Sequence, residues 1–260
     1  MKNKGTKEGT AQEIAFVQQL NKKEDSALWQ TLSINPNNHY AIRVTSKKYG
    51  KLNDAKVLPK ADAFIAYGDV PLEYLKVKEY FLDEDDVVKF ALRAKEKSGI
   101  SIKREDSTKY QIMKMSPSTF KKLFGSNILA SGASIYCTKE AEFIKNLELL
   151  KGWGVEEDEF LSYFNNELGL DLTSVADTSA KEALKAIKKF SNTKIAEIIN
   201  TNKTISDFIF FGIGNFDEPF TAHWLYEHAK LKPNYIIPFT VTTGSGRSKG
   251  VYTIVLKPKN

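Results

Sequence analysis

The stretch VLPKADAFIAYGD, residues 57–69, places an acid, Asp62, at the head of an apolar run that ends at Gly68. Further along, SGISIK, residues 98–103, places Lys103 at the end of a second apolar run. Both runs have the composition and turn-forming borders typical of strands. If these strands are neighbours in one sheet, about 4.8 Å apart, Asp62 and Lys103 can meet at one edge. Taken singly, Asp62 could merely begin a strand and Lys103 could lie in solvent.

The first half of the chain predicts an α/β fold. GTAQEIAFVQQLN, residues 9–21, has apolar residues at helical spacing and predicts an amphipathic helix. HYAIRVTS, residues 39–46, predicts a strand that precedes the two strands above. Residues 70–98 have helical character, so they form either an excursion from a hairpin or a crossover between parallel strands. The sequence leaves both connections open.

The second half predicts several helices followed by strands. SPSTFKKLFGS, residues 116–126, predicts a short helix in which Ser116 is the cap and Pro117 the first residue. The helical middle of the chain, about residues 139–200, predicts helices at 139–152, 156–168 and 179–201. The remaining predictions are strands at DFIFFGIG (207–214), YIIPFTVTTG (235–244) and GVYTIVLKPK (250–259), with a short helix near FTAHWLYEHAK (220–230). The last two strands predict a C-terminal β-hairpin. With no repeat or linker, we expect residues 1–260 to form a single domain.

Composition excludes several classes of protein. The 260 residues are 42% hydrophobic, which is enough for a sizeable core. No apolar segment approaches the roughly 20 residues of a membrane helix, and the polar start is unlike a secretion signal, so we expect a soluble, cytoplasmic protein. Cys137 is the single cysteine, which excludes an internal disulfide and a cysteine-based zinc site.

Net charge indicates a polyanionic partner. The formal charge is +6 and the sequence pI is about 9.0. Basic residues gather with hydroxyls and glycines in VTSKKYGK, KREDSTKYQIMK, TFKKLFG and SGRSKG, whereas acids gather in FLDEDDVV and VEEDEF. Such segregation favours one basic face, which suits nucleic acid.

A family resemblance rests on these residues. PKADAFIA followed by ISIK resembles the P-D…(D/E)-X-K signature of type II restriction endonucleases and related DNA nucleases, with Pro59, Asp62, Ser101 and Lys103 in the corresponding places. The segment STKYQIMK, residues 107–114, resembles the one that follows the catalytic lysine in enzymes cutting short G/C-rich palindromes. The tail GSGRSKGVYTIVLKPK, residues 244–259, resembles their closing basic hairpin.

The resemblance implies a fold and an activity. The fold would be restriction-endonuclease-like, a central mixed β-sheet flanked by helices, with residues 70–98 as a helical insertion. The activity would be Mg²⁺-dependent, sequence-specific hydrolysis of double-stranded DNA that leaves 5′-phosphates. Asp62 would ligate the metal, Lys103 would orient or deprotonate the attacking water, and Ser101, in place of the usual acid, would hold a metal-bound water. A companion DNA methyltransferase would protect the host DNA.

Two further oxygen donors complete the implied metal site. The carbonyl of Ile102 could serve as a ligand, as in family members that have a neutral residue in place of the second acid. Glu13 on the N-terminal helix could be a supplementary ligand, although an acid there could instead simply favour the start of the helix. A literal D-X-K also occurs at Asp54–Lys56, in a polar stretch where nothing fixes its geometry.

Candidate DNA contacts divide into phosphate positioning and base readout. Arg43, Lys47 and Lys48 lead from a strand into a loop and suit phosphates. A second group follows the Lys103 strand, where the resemblance places recognition: Ser107, Lys109, Gln111 and Lys114. Glutamine can bond adenine and lysine can bond guanine. Arg247 and Lys249, at the tip of the last hairpin, could enter a groove.

Two other functions fit the same features. A non-catalytic nucleic-acid-binding protein could use the basic segments alone. A nuclease of the same fold could nick or repair DNA instead of restricting it.

A metal or stacking site is also conceivable at His223, Trp224 and His228. The two histidines lack the helical spacing of a metal pair, so packing is the simpler interpretation.

Overall fold

The computed structural model describes residues 4–24, 26–44, 59–103, 110–244 and 252–259. The chain divides into two compact units, where the sequence predicted a single domain. The first contains Met1–Thr108 and Ser206–Ile236, and the second contains Lys109–Ile205 and Ile237–Asn260. Because each unit is built from two separate stretches of chain, no linker composition marks the division. Within the described residues, no helix combines the length and apolar character that crossing a membrane requires.

The first unit is built on a six-stranded mixed sheet. Its helices are α1 (Lys4–Lys22), α2 (Ser26–Leu32), α3 (Leu72–Val77) and α4 (Glu84–Lys89). Its strands are β1 (His39–Arg43), β2 (Ala63–Tyr67), β3 (Arg93–Ala94), β4 (Ile100–Ile102), β6 (Trp224–Glu227) and β7 (Lys230–Pro233), with β5 in the second unit. The order is β1-β2-β4-β6-β7, and β3 also pairs with β2. All pairs are antiparallel except β4 with β6. The predicted α/β class with a mixed sheet is confirmed.

The connection from β2 to β4 links two antiparallel strands of the sheet. The two strands are antiparallel, with Ala63 opposite Ile100. Residues 70–98 are therefore an excursion from an antiparallel pair, and they contain two short helices and β3 in place of one longer helix. Helix α4 begins with a capping box in which Asp83 and Asp86 satisfy each other's backbone N–H groups.

The core of the first unit lies between the sheet and the N-terminal helices. Phe16, Val17 and Leu20 lie on one side of α1 and are all buried. They share a cluster with β1 and with Phe64 and Ile65 of β2. Every residue of β2 except Tyr67 is buried, as expected of a central strand covered on both faces.

Two predicted elements are wrong. Residues 207–214, predicted as a strand, begin with a single π-helical turn (Asp207–Phe211) that ends at Gly212. A short apolar run cannot be assigned by periodicity alone, because buried strands and buried helices look alike. The predicted helix at 220–230 is instead the hairpin of β6 and β7. Its turn residues His228 and Ala229 both have positive φ, the conformation that lets a two-residue turn join twisted strands.

The second unit combines helices with a three-stranded sheet. The helices are α5 (Pro117–Phe124), α6 (Ile128–Ser134), α7 (Lys145–Trp153), α8 (Glu157–Leu168), α9 (Lys181–Thr201) and α10 (Lys203–Ser206). The sheet has the antiparallel order β5-β9-β8, formed by Met113–Met115, Ile254–Pro258 and Phe239–Thr243. The pairing of β8 with β9 confirms the C-terminal hairpin. Ser116 caps α5 by accepting a hydrogen bond from the Thr119 N–H, with Pro117 in the first turn as predicted.

Asn21 holds α1 against β1, and we expect Asn21→Ala to destabilise the first unit. The buried Asn21 amide donates to the Ala41 carbonyl at 2.9 Å and accepts from the Ala41 N–H at 2.8 Å. The free energy of unfolding should fall by about 2–4 kcal/mol, because two buried backbone groups lose their partners. Urea denaturation measures the change. The control is Asn200→Ala, at an exposed position on α9, which should alter stability by less than about 0.5 kcal/mol. Equal stability of the two variants would contradict the argument.

Candidate functional site

The sheet brings Asp62 and Lys103 to one place. Asp62 immediately precedes β2, and its backbone N–H donates to the Ile100 carbonyl at 2.8 Å. Lys103 immediately follows β4, and its N–H donates to the Tyr226 carbonyl at 2.8 Å. Because β2 and β4 are antiparallel neighbours, the start of one lies beside the end of the other.

Side-chain contacts then join the two residues through Ser101. The Asp62 Oδ2 accepts from the Ile102 N–H at 2.7 Å and from the Ser101 hydroxyl at 3.4 Å. The Lys103 ammonium donates to the same hydroxyl at 2.8 Å. The serine oxygen therefore accepts from the lysine and donates to the carboxylate, and all three predicted catalytic residues lie in one cluster.

Burial and charge act against each other at Asp62. Burial raises the pKa of its carboxyl above the ordinary value. Lys103, the Ile102 N–H, the Ser101 hydroxyl and Lys60 act in the other direction, because each stabilises the carboxylate, but together they do not cancel the effect of burial.

Lys60 belongs to the same electrostatic cluster, and the sequence analysis missed it. Burial, followed by repulsion from Lys103, lowers the pKa of Lys60 to about 7, although attraction to Asp62 opposes the change. The side chain lies against Gly212, where an added Cβ would come within 2.7 Å of the Lys60 Cγ. Its position two residues before Asp62 was the available signal, but a lysine in a polar segment is usually solvated.

Glu13 reaches the site from α1 and pairs with Arg43. The Arg43 Nη2 lies 2.8 Å from the Glu13 Oε2. The pKa of Glu13 is raised, first by burial and then by the charge of Asp62, and the Arg43 guanidinium opposes both effects. Two acids from different elements therefore lie close enough to repel each other, an arrangement that a bound cation would relieve.

Arg43 is not where the sequence analysis expected it. Predicted as a phosphate contact leading into a loop, it is the last residue of β1, and only 2% of it is exposed. Its guanidinium lies over the Phe81 ring, 4.1 Å from the ring centroid. The pairing with Glu13 explains the burial, since a buried charge requires a partner.

The oxygen donors present suit a hard cation such as Mg²⁺. Ile102 directs its N–H toward Asp62, and the carbonyl of a strand residue points to the same side as its N–H. Asp62, Glu13 and the Ile102 carbonyl are therefore the candidate ligands. Among the described residues, no group of three or more histidine, cysteine or acidic side chains could hold a metal ion, so a site here would depend on that carbonyl and on water.

The remaining predicted contacts are distributed as follows. Gln111 and Lys114 lie in the second unit, both exposed, with Lys114 on β5. Lys114 borders a cavity of about 470 Å³ that also contacts Ser116, Thr119 and Tyr252. The other predicted contacts lie outside the described residues: Lys47, Lys48, Ser107, Lys109, Arg247 and Lys249. The alternative motif at Asp54–Lys56 also lies outside them.

Other side chains set aside in the sequence analysis have structural partners. His223 contacts Glu218, and the Trp224 indole N–H donates to the Lys97 carbonyl at 3.0 Å. Cys137 is buried, in agreement with its interpretation as a small apolar residue.

No protein-family model matches this chain, and a search of curated proteins also finds no match.

The raised pKa of Asp62 predicts that Asp62→Asn stabilises the fold at neutral pH. A folded-state pKa above the unfolded value means that the ionised carboxylate costs stability at pH 7, and that this cost disappears as pH falls toward the ordinary value of 3.8. Asparagine keeps an acceptor for the Ile102 N–H without the charge. We expect a higher melting temperature than wild type at pH 7 and a smaller difference at pH 4, measured by calorimetry.

The control for this experiment is Asp171→Asn, which changes an exposed acid of the second unit. It should leave the melting temperature unchanged at both pH values. A variant Asp62→Asn that is less stable than wild type at pH 7 would mean that attraction to Lys103 outweighs burial.

Proposed function

We propose that this protein is a Mg²⁺-dependent, sequence-specific endonuclease that hydrolyses phosphodiester bonds of double-stranded DNA, as a type II restriction enzyme does. The observation that carries the proposal is the joined cluster of Asp62, Ser101 and Lys103 at the meeting point of β2 and β4. The resemblance to the P-D…(D/E)-X-K nucleases supports the same proposal, because three of its signature residues, Asp62, Ser101 and Lys103, lie together at this point of the sheet.

Each residue has a role in this reaction. Asp62, Glu13 and the Ile102 carbonyl would hold the Mg²⁺, which when bound stabilises negative charge developing on the phosphate. Lys103, acting in its neutral amine form, would orient the attacking water and accept its proton. Ser101 would fix this nitrogen relative to Asp62, as its two hydrogen bonds do here. Water attacks phosphorus and passes a proton to the Lys103 amine, the P–O3′ bond breaks, and O3′ takes a proton from solvent. The products carry a 5′-phosphate and a 3′-hydroxyl.

The charges around the site suit a phosphate. Lys60 and Lys103 both act on Asp62, and Arg43 acts on Glu13, so cationic groups surround the two acids. A phosphodiester entering this cluster would gain favourable electrostatic interactions before any chemistry.

The same cations favour a second candidate, a non-catalytic nucleic-acid-binding protein. Lys103, together with Lys60 in its protonated form, could bind a phosphate without a metal. This candidate predicts salt-sensitive DNA binding and no metal-dependent hydrolysis. A nicking or repair nuclease would instead cut one strand or cut without sequence preference.

We expect purified protein to convert supercoiled plasmid to discrete fragments with Mg²⁺ and to leave it intact with EDTA. Asp62→Asn should abolish cleavage, and Lys103→Ala should slow it by about 10²–10⁴-fold, the usual contribution of a proton-transfer group. Gel electrophoresis measures cleavage, and a mobility-shift assay in Ca²⁺ tests that DNA binding persists.

Matched controls separate this result from a general loss of charge. Lys230→Ala removes an exposed lysine at the start of β7 in the same sheet, and Asp171→Asn removes an exposed acid. Both should cleave at the wild-type rate. Full cleavage by Asp62→Asn and Lys103→Ala would refute the site assignment, and DNA binding without cleavage by the wild type would favour the second candidate.

Lys114 should contribute to DNA affinity through a phosphate, because it is an exposed cation beside a cavity lined with hydroxyl groups. We expect Lys114→Ala to weaken binding about equally for all DNA sequences and to lower the slope of log affinity against log salt by about 1. Fluorescence anisotropy at several salt concentrations measures both. Lys121→Ala, an exposed lysine of α5 that does not border the cavity, is the control and should have a smaller effect. Equal effects would indicate only a diffuse basic surface.

A further inference from the structure

We infer that Arg43 is a positioning residue that fixes the Glu13 carboxylate beside Asp62 for cation binding. This inference rests on the proposed function, because it requires Glu13 to act at the metal site. It assigns a role to a buried arginine that the reaction itself does not use.

The guanidinium of Arg43 is held on several sides. Nη2 binds the Glu13 Oε2 at 2.8 Å, and Nη1 approaches the Glu79 carbonyl at 3.4 Å. The Phe81 ring covers the guanidinium at 4.1 Å, and the Arg43 N–H donates to the Tyr80 carbonyl at 2.9 Å. Both the backbone and the side chain are therefore anchored, which leaves the guanidinium little freedom to follow Glu13 elsewhere.

This arrangement is costly for a purely structural residue. The Arg43 Nε is buried and has no hydrogen-bond partner among the described residues. The preceding residues of β1, Tyr40 to Ile42, are apolar or aromatic and buried, so an apolar side chain would suit the position. A buried arginine with an unsatisfied donor calls for an explanation, and the contact with Glu13 supplies one.

The geometry leaves Glu13 able to bind a cation. Arg43 contacts Oε2 of Glu13, and the side chain of Glu13 keeps 28% of its surface exposed. Without Arg43, this partly exposed carboxylate could turn toward solvent and away from Asp62. Hydrogen bonds to a ligating carboxylate typically contribute 10–100-fold to metal affinity, which is about the effect we expect.

The experiment measures Mg²⁺ and Mn²⁺ binding by isothermal titration calorimetry on the full chain. Wild type should bind, and Asp62→Asn should lose binding. Arg43→Met should raise the dissociation constant for the cation by about 10–100-fold. Arg43→Lys, which keeps the positive charge and one donor nitrogen, should recover part of the lost affinity. If Arg43 acts through Glu13, adding Arg43→Met to Glu13→Gln should cause no further loss, because the two effects are not additive.

Asn21→Ala is the matched structural control. It removes a contact between the same helix and the same strand through neutral groups, and it does not alter the Glu13–Arg43 pair. Unchanged metal affinity in Asn21→Ala, beside weakened affinity in Arg43→Met, supports the inference.

Three results would overturn it. The first is wild-type affinity in Arg43→Met, or a loss no greater than that of Asn21→Ala at similar stability. The second is tighter binding by Arg43→Met, which would make Arg43 a competitor of the cation for Glu13. In both of these cases the proposed function would still be supported, provided that wild type binds the cation and Asp62→Asn does not. The third is the absence of cation binding by wild type, which would overturn the metal site and the role of Arg43 together.

Discussion

The hydrogen bond from the Ile102 N–H to the Asp62 carboxylate, 2.7 Å long, is the constraint on which the site depends. The backbone of Asp62 pairs with Ile100, and its side chain then takes the next hydrogen bond along β4. The carboxylate therefore takes the place of the backbone carbonyl that would accept from the Ile102 N–H in a regular pair of antiparallel strands. Its position is set by strand register, and a slip of one residue would turn Asp62 to the opposite face of the sheet. Groups placed by regular elements in this way are held more precisely than groups on loops.

The same constraint makes the site costly to fold. Burial raises the pKa of Asp62 and of Glu13, and it lowers the pKa of Lys60 to about 7, so each of these charges is disfavoured by its surroundings. Attraction between acids and bases offsets part of this cost but not all of it. Perturbed groups of both signs in one cluster are more typical of functional sites than of structural ion pairs, because selection for stability alone would replace them.

Local patterns in the sequence predicted the elements that build this site. Helix α1 follows from its apolar spacing, β2 and β4 from their short apolar runs, and the cap of α5 from Ser-Pro. The meeting of Asp62 with Lys103 followed from placing those two strands side by side.

What the sequence could not predict depends on contacts between distant residues. Arg43 is buried because Glu13, thirty positions earlier, lies beside it in the fold. Lys60 has a lowered pKa because burial and Lys103 act on it. The hairpin of β6 and β7 forms because β4 offers β6 a parallel partner, which overrides the helical appearance of its sequence.

Serine at position 101 changes how the site obtains its negative charge. An acid there would pair directly with Lys103, whereas the hydroxyl only passes a hydrogen bond from Lys103 to Asp62. Asp62 and Lys103 then sum to zero formal charge, so a second carboxylate beside them must come from another element. Glu13 supplies that carboxylate from α1, where it pairs with Arg43 of β1. The packing of the N-terminal helix and the electrostatics of the sheet edge are therefore coupled, since displacement of α1 would remove one of the two carboxylates from the site.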